Sequence, residues 1–350
     1  EGFAPLDAAP VTWVGDNRHT WRAEDRGLEA ALDDILRAAR LGYCVIGSDV
    51  AGYHGRSNPD DMGPATAALV STWSGAGNVP VAAGARPDAI APNIYIRWAQ
   101  FSTFCGLFLN GGHGERRLWR RTPAELEIIR RFSWLHTELV PYLYSQVVEC
   151  HRGGLPLMRP RAEGRYHYLL GDDLLIAPIH TDSAQREVTL PAGSWRYLFQ
   201  LKESPLVGPR KISREFPLDE YPVYLRAGAL VPLNISRPYT GLGDRDSAGF
   251  RTWLINPGAN GRFTLWHPET HPDPESTTVT MTNGDPLRIE FAGRREPHIL
   301  RVIAAQRPRS IVCDGRGLAE GSDWEFDAAH GVLVVRTLEY AAGTYEIGWR

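Results

Sequence analysis

Residues 11–17 read Val11-Thr12-Trp13-Val14-Gly15-Asp16-Asn17, a short apolar run of β type that ends in a glycine and two polar residues. A helix is predicted next, over residues 27–40, because apolar side chains recur there at helical spacing, at Leu28, Leu32, Ile35 and Leu36. A buried strand followed by an amphipathic helix is the repeating unit of an α/β fold.

The same unit recurs along the first 155 residues. Apolar runs lie at residues 43–46, before Gly47-Ser48-Asp49, and at residues 104–109, before Asn110-Gly111-Gly112-His113. Residues 123–150 carry apolar side chains on one face and are predicted to form one helix. Parallel strands that each end in polar residues indicate a (β/α)8 TIM barrel, whose active site lies at the carboxyl ends of its strands. Three units are fewer than the eight of a closed barrel, so residues 1–155 predict an incomplete one.

Two other regions depart from this pattern. Residues 53–94 are rich in Gly, Pro and Ala and are interpreted either as a long active-site loop or as a partly disordered insertion. From about Gly154 the chain changes to short alternating strands separated by turn residues. We therefore expect an α/β part followed by an all-β part, with a proximal β-sandwich over residues 156–235 and a distal β-sandwich over residues 236–350.

Composition excludes several classes of function. The chain is 43% hydrophobic and 23% charged, as a folded globular protein is. A net charge of -3 without a basic stripe argues against nucleic acid and anionic membrane as partners. The four cysteines are widely separated in the sequence (Cys44, Cys105, Cys150 and Cys313) and are predicted to be free thiols, which favours a cytoplasmic location.

Asp16 is the residue with the clearest catalytic potential. An aspartate after a glycine is most often a turn or helix-capping residue. Asp16, however, follows a strand at its carboxyl end and lies between Trp13 and Trp21 in the sequence. Burial beside aromatic rings raises the pKa of a carboxyl, and a general acid that works near neutral pH needs such a shift. We therefore predict a general acid/base role for Asp16.

Seven segments of the chain resemble, in the same order, those of glycoside hydrolase family 31. The first is Trp13-Val14-Gly15-Asp16-Asn17-x-x-x-Trp21, similar to the W-x-G-D-N-x-x-x-W segment of that family. The other six are Gly47-Ser48-Asp49-Val50-Ala51-Gly52-Tyr53, Arg97-Trp98-Ala99-Gln100, Leu139-Val140-Pro141-Tyr142-Leu143-Tyr144-Ser145, Gly154-Leu155-Pro156-Leu157-Met158-Arg159-Pro160, Gly171-Asp172-Asp173-Leu174-Leu175-Ile176-Ala177-Pro178 and Leu190-Pro191-Ala192-Gly193-Ser194-Trp195.

This resemblance implies a retaining hydrolase of α-linked glycosides in which Asp16 is the general acid/base. The family's nucleophile is an aspartate on an earlier barrel strand, whereas the only carboxylates before Asp16 are Glu1 and Asp7. The chain is therefore expected to be the C-terminal portion of the barrel with its two β-sandwiches. Its expected partners are a carbohydrate substrate and the missing N-terminal half of the same enzyme, without a metal or cofactor. By position in the motifs, the predicted substrate-binding residues are Trp13, Trp21, Asp49 and His113.

Several alternatives stay open at this point. Asp49 could contact a sugar hydroxyl, orient Asp16 or tie strand ends together. Arg97 is expected to form a buried ion pair, Asp172-Asp173 to form a turn, and His19 to be a solvated residue at the start of a helix. The alternative function is that of a non-catalytic carbohydrate-binding or accessory subunit.

Overall fold

The computed structural model describes residues 10–53, 90–111, 116–270, 273–336 and 343–349. Most of the Gly/Pro/Ala-rich stretch after Tyr53 lies outside these ranges, and so does His113. None of the described helices is long and apolar enough to cross a membrane. The first part of the described chain contains β1 (Val11–Trp13), α1 (Leu28–Arg40), β2 (Val45–Gly47), α2 (Pro92–Thr103), a 3-10 turn (Leu118–Arg120), α3 (Pro123–Glu138) and α4 (Val140–His151).

Parallel pairing of the first strands confirms the α/β prediction. β1 pairs with β2 in parallel over its whole length. The third predicted strand, residues 104–109, is reduced to one parallel bridge between Asp49 and Leu109. A methyl group at Gly47 would lie 2.2 Å from the Leu107 carbonyl oxygen. The two backbone segments can therefore approach this closely only at a glycine. The three strand ends therefore lie side by side at one edge.

Helix α1 matches the predicted helix over residues 27–40. Its four predicted apolar positions are buried (Leu28, Leu32, Ile35 and Leu36). Glu29 lies in its first turn, and Arg37 and Arg40 lie in its last turn. These charges complement the helix dipole and stabilise the helix whose apolar face packs on the core.

The single helix predicted over residues 123–150 is wrong, because the structure has two helices there. α3 ends at Glu138, and α4 begins at Val140. Pro141 has no backbone N–H and its ring would clash with the preceding helical turn, so α3 cannot continue through it. Proline is well tolerated in the first turn of a helix, and Pro141 lies in that turn of α4.

The proximal segment forms one antiparallel sheet of six strands in the order β3-β4-β5-β8-β6-β7. This differs from the proximal β-sandwich expected over residues 156–235. A register shift between Leu190 and Gly193 marks a bulge in the long strand β6, which pairs with β7 on one side and β8 on the other. The strands are β3 (Met158–Pro160), β4 (Tyr168–Leu170), β5 (Leu174–Ile176), β6 (Gln185–Tyr197), β7 (Leu206–Glu215) and β8 (Val223–Arg226).

The rest of the described chain forms two sheets, with strand orders β17-β18-β14-β10-β9 and β11-β12-β13-β19-β15-β16. β9 pairs with β10, although it lies before the predicted domain boundary at residue 235. The change of sheet therefore falls between β8 and β9. The strands are β9 (Ala229–Leu233), β10 (Arg251–Asn256), β11 (Gly261–Trp266), β12 (Ser276–Thr282), β13 (Leu287–Gly293), β14 (His298–Ile303), β15 (Ser310–Cys313), β16 (Arg316–Gly317), β17 (Trp324–Asp327), β18 (Val332–Arg336) and β19 (Thr344–Gly348), with 3-10 turns at Arg245–Ser247 and Pro268–Thr270.

Helix α4 joins the barrel part to both β regions. The Tyr142 hydroxyl donates to the Leu170 carbonyl at 2.9 Å, and its ring stacks on Phe263 with centroids 5.3 Å apart. The Trp266 indole donates to the Glu149 carboxylate at 2.7 Å. One hydrophobic cluster extends from α1 to β19, so the β regions support the strand ends from behind.

Candidate active site

Asp16 lies at the carboxyl end of β1 with its side chain half-buried. Just before it, the Val14 N–H donates to the Gly47 carbonyl at 3.1 Å and extends the pairing of the two strands. Just after it, Asn17 is buried, and its side-chain amide donates to the Arg26 carbonyl at 3.3 Å. Asp16 is thus held between two fixed positions at the edge where a barrel places its catalytic groups.

The loop after β2 packs directly against the loop that carries Asp16. The Tyr53 N–H donates to the Asn17 carbonyl at 2.7 Å. Gly52 has φ of +81°, and a methyl group there would lie 2.7 Å from the Arg18 carbonyl oxygen. A residue with a side chain would therefore be strained and would push the two loops apart.

The ring of His19 also joins these two loops. Its Nδ1 forms a short hydrogen bond with the Ala51 carbonyl. The expectation of a solvated His19 is wrong, because the close packing of the second loop brings a backbone acceptor to its ring.

Asp49 forms a buried ion pair that sequence reasoning missed. The Arg116 Nη1 lies 2.8 Å from Asp49 Oδ1, and both side chains are less than a tenth exposed. The Arg116 guanidinium also lies over the Tyr53 ring, 4.8 Å from its centroid, and the Tyr95 hydroxyl donates to the Arg116 carbonyl at 3.1 Å. The one available signal was that an arginine follows the polar cluster of the third strand end. This pair ties the second strand end to the segment after the third.

The other predicted substrate-binding residues are Trp13, Trp21 and His113, and the two tryptophans differ in exposure. Trp13 on β1 is 49% exposed, so its ring is available to a ligand. Trp21 is half-buried against the core and lines a cavity of about 200 Å³ together with Arg97 and Phe216. His113 lies outside the described residues. The structure thus brings Asp16 and Asp49 to one edge, and the substrate contacts of the tryptophans stay predictions.

Arg97 fixes the barrel part to the proximal sheet. It donates to the Phe216 carbonyl at 2.6 Å, to the Glu220 carbonyl at 2.7 Å and to the Gln100 side-chain oxygen at 2.9 Å. The buried ion pair predicted for Arg97 is therefore wrong. The loop between β7 and β8 presents carbonyl oxygens to the guanidinium in place of a carboxylate.

The turn predicted at Asp172-Asp173 is confirmed. Asp173 Oδ1 lies 3.3 Å from the Arg226 guanidinium, and Arg159 pairs with Asp172. Burial raises the pKa of Asp173 to about 7. Within the part of the chain that the structure describes, no group of three His, Cys, Asp or Glu side chains could hold a metal ion. The described strand ends thus carry a partly exposed carboxyl group, Asp16, and a buried charge pair, Asp49 with Arg116.

Two family models match the chain. Residues 1–146 match the model described as "Glycosyl hydrolases family 31 TIM-barrel domain", and residues 156–231 match "Glycosyl hydrolase family 31 C-terminal domain". Among curated relatives, a 1,3-alpha-isomaltosidase of Kribbella flavida is 31% identical over 65% of this chain and 29% of its own length. An alpha-glucosidase 2 of Bacillus thermoamyloliquefaciens is 24% identical over 85% of this chain and 34% of its own length. The chain thus spans about a third or less of these relatives.

Solved structures of the same family share the fold. A family 31 dextranase of Flavobacterium johnsoniae superposes with a TM-score of 0.73, at 21% identity, over 97% of this chain and 44% of that chain. The cycloalternan-forming enzyme of Listeria monocytogenes gives a TM-score of 0.72, at 19% identity, over 97% of this chain and 32% of that chain. The resemblance drawn from the motifs is confirmed, and the chain belongs to glycoside hydrolase family 31.

Proposed function

We propose that this chain supplies the acid/base side of the active site of an enzyme that hydrolyses α-linked glycosides with retention. Asp16 protonates the leaving glycosidic oxygen and then removes a proton from the incoming water. Trp13, Trp21 and His113 are proposed to line the sugar site. Family membership and relatives named as an isomaltosidase and a glucosidase support the substrate class.

The observation that carries this proposal is the position of Asp16. Its carboxyl group is half-buried at the carboxyl end of a parallel strand, inside the segment that resembles the family's acid/base motif. The adjacent loop is held against it by the Tyr53–Asn17 hydrogen bond, so little reorganisation is needed during proton transfer. Asp49 is buried, and its Oδ1 is paired with Arg116. In this proposal Asp49 holds the neighbouring strand end in place.

The nucleophile is proposed to come from residues outside 1–350. Retaining glycosidases need a second carboxyl group about 5–5.5 Å from the acid/base. In the described part of the chain, the carboxylate at the neighbouring strand end is Asp49, which is buried in its ion pair. We expect these 350 residues alone to lack glycosidase activity and to gain it when a polypeptide with the earlier barrel strands is added. Turnover of an aryl α-glycoside by the verified 350-residue chain alone would contradict this.

The two distal sheets are proposed to form a β-sandwich that supports the barrel. Phe291 on β13 stacks on His298 on β14 with centroids 4.3 Å apart. Nε2 of His298 lies 2.8 Å from the Tyr345 hydroxyl on β19. Trp253 on β10 contacts Phe291 edge-on at 5.7 Å. Because these contacts join strands of different sheets, they support face-to-face packing.

Anion rescue tests the acid/base assignment in the whole protein. In an Asp16→Ala variant, the glycosyl-enzyme formed from an activated aryl α-glycoside cannot be hydrolysed efficiently, because water needs a general base. Azide needs no proton removal, so added azide should restore turnover and yield a glycosyl azide with the configuration of the substrate. Asp34→Ala, at an exposed position of α1, is the matched control and should respond to azide as the parent protein does. Loss of activity in Asp16→Ala without a glycosyl azide product would reject the assignment.

A further inference from the structure

A second cavity lies where α3, the turn after β6 and the five-stranded sheet meet. Its volume is about 360 Å³, within the usual range of small-molecule sites. Leu135 and Phe199 form part of its apolar wall, and Gln200 and Thr240 contribute polar groups. None of its lining residues belongs to the strand ends around Asp16 and Asp49, so this cleft is separate from the candidate active site.

The charged side chains that line this cleft are positive. Arg131, Lys202 and Arg301 line it, and its described lining contains no aspartate or glutamate. Arg131 is partly engaged, since it donates to the Asp219 carbonyl at 3.2 Å. Lys202 is exposed and has no hydrogen bond or ion pair with the described residues. Three cations around one cavity without a lining carboxylate favour a negatively charged occupant.

Arg301 is the most unusual of the three cations. It lies on β14 inside the five-stranded sheet, directly opposite Val334 on β18. Its apolar neighbours are Ile299, Val332 and Val334, with Leu201 packed against them, and Glu325 lies one strand further out, opposite Val334. The Arg301 Nε is buried and has no hydrogen-bond partner in the described part of the chain. Burial lowers the pKa of its guanidinium. Arg301 is partly buried and has no ion-pair partner among the described residues, an arrangement that costs free energy and calls for a functional reason.

Two of the acidic residues whose charges act on Arg301 accept hydrogen bonds from other residues. Asp244 caps a 3-10 turn and accepts the Asp246 N–H at 2.9 Å. Asp327 accepts a hydrogen bond from His330, with 2.6 Å between Oδ2 and Nδ1. Glu325, on β17, is the third acidic residue that attracts Arg301. Within the described ranges, none of the three carboxylates comes within ion-pair distance of Arg301. The protein therefore leaves the Arg301 charge for a group that enters the cleft.

We propose that this cleft binds a small anionic carbohydrate, a sugar carrying a phosphate or a carboxylate. Arg301 binds the anionic group at the base of the cleft, and Lys202 adds a second charge at its rim. The Gln200 amide donates to Glu220 and the Thr240 hydroxyl to Glu138, so the Gln200 side-chain oxygen is the group proposed to accept from a sugar hydroxyl. Leu135 and Phe199 pack against the apolar faces of the ring. The proposal goes beyond the hydrolysis proposed for Asp16 and is independent of it.

Calorimetric titration of the whole protein tests this with three probes of similar size: glucose 6-phosphate, glucuronate and glucose. We expect at least one anionic sugar to bind about tenfold or more tightly than glucose. The stronger of the two anionic probes identifies phosphate or carboxylate as the preferred group. If neither binds more tightly than glucose, the proposal is overturned.

Variants separate a binding role of Arg301 from a structural one. Arg301→Met should weaken binding of the preferred anion by about tenfold or more and raise the Tm of the ligand-free protein, because a partly buried charge is removed. Lys202→Gln should weaken binding by several-fold without a change in Tm. The matched control is Lys211→Gln, since Lys211 is the one other lysine of the chain and is exposed on β7. Unchanged anion affinity in both Arg301→Met and Lys202→Gln would overturn the proposal. If Arg301→Met does not fold, Lys202→Gln against Lys211→Gln decides.

Discussion

Asp16 and Asp49 occupy equivalent places in two neighbouring strand-and-loop units, yet their surroundings differ. Each follows a short parallel strand at the same edge of the barrel part. Asp16 is half-buried, whereas Asp49 is 5% exposed and paired with Arg116 at 2.8 Å. Residue type and position along a strand therefore do not assign a role. What differs between them is solvent access, because Asp49 is enclosed together with a buried cation whereas Asp16 is partly exposed.

The largest expected effect comes from exchanging these two carboxyl groups for amides in the whole protein. Asp16→Asn should lower the rate on substrates with poor leaving groups by roughly 10²–10⁴-fold, while sparing activated aryl glycosides much more. Asp49→Asn should change both substrate types by the same factor, because it acts on positioning alone. The measurement is kcat/KM for an alkyl and a nitrophenyl α-glycoside. Equal losses on both substrates for Asp16→Asn would make the two aspartates alike and remove the contrast.

The next effect concerns the ion pair itself. Arg116→Met leaves the Asp49 carboxylate buried without its cation, which should lower the free energy of unfolding by about 3–5 kcal/mol. Adding Asp49→Asn should recover part of that loss, so the double variant is less destabilised than the sum of the single variants. Chemical denaturation measures both. Arg288→Met, which breaks exposed ion pairs with Glu290 and Glu346, is the control and should destabilise the protein far less.

A third carboxyl group sharpens the comparison, because Glu138 is buried without a cation. Among the described contacts, its side chain accepts a hydrogen bond from the Thr240 hydroxyl at 2.6 Å, and burial raises its pKa from 4.5 to about 7. Between these pH values the folded protein keeps a proton that the unfolded chain releases. The stability contributed by the protonated group is therefore complete below pH 4.5 and is lost as the pH rises through 7, by about 3 kcal/mol in total.

Glu138→Gln should remove this contribution to the pH dependence, since its amide keeps the Thr240 hydrogen bond and does not titrate. The measurement is the difference in unfolding free energy between parent and variant at pH 4.5, 6 and 8. Asp173, whose pKa burial also raises, affects both proteins equally and cancels in the difference. A difference that does not change with pH would contradict the assignment.

The smallest expected effect tests the packing that joins the two strand-end loops. Gly52→Ala should cost about 1–2 kcal/mol for the left-handed backbone conformation, with a further loss from the contact with the Arg18 carbonyl. Gly321→Ala is a matched control, because Gly321 also has positive φ but no atom lies within 4 Å of an added methyl group. The difference in Tm between the two variants isolates the contact. Equal Tm losses would show that the loops can separate at no cost.

Much of the fold could be predicted from local spacing. α1 follows from four apolar residues at helical intervals, and the parallel pairing of β1 with β2 follows from their apolar composition and the helix between them. The break between α3 and α4 was also present in the sequence, at Pro141, but the apolar stripe on both sides concealed it. The division of the later strands into sheets could not be predicted, because alternation identifies strands without naming their partners.

The sequence by itself determined the family, the strand-end position of Asp16 and the free thiols at Cys44, Cys105, Cys150 and Cys313, because these depend on the order and spacing of nearby residues. The tertiary structure alone decided the Asp49–Arg116 pair, whose members are 67 positions apart, and the docking of Arg97 on carbonyls about 120 positions away. It also decided that Arg301 faces a cavity instead of a carboxylate. Such contacts form only when distant segments pack together, and no local pattern encodes which oxygen a guanidinium will meet.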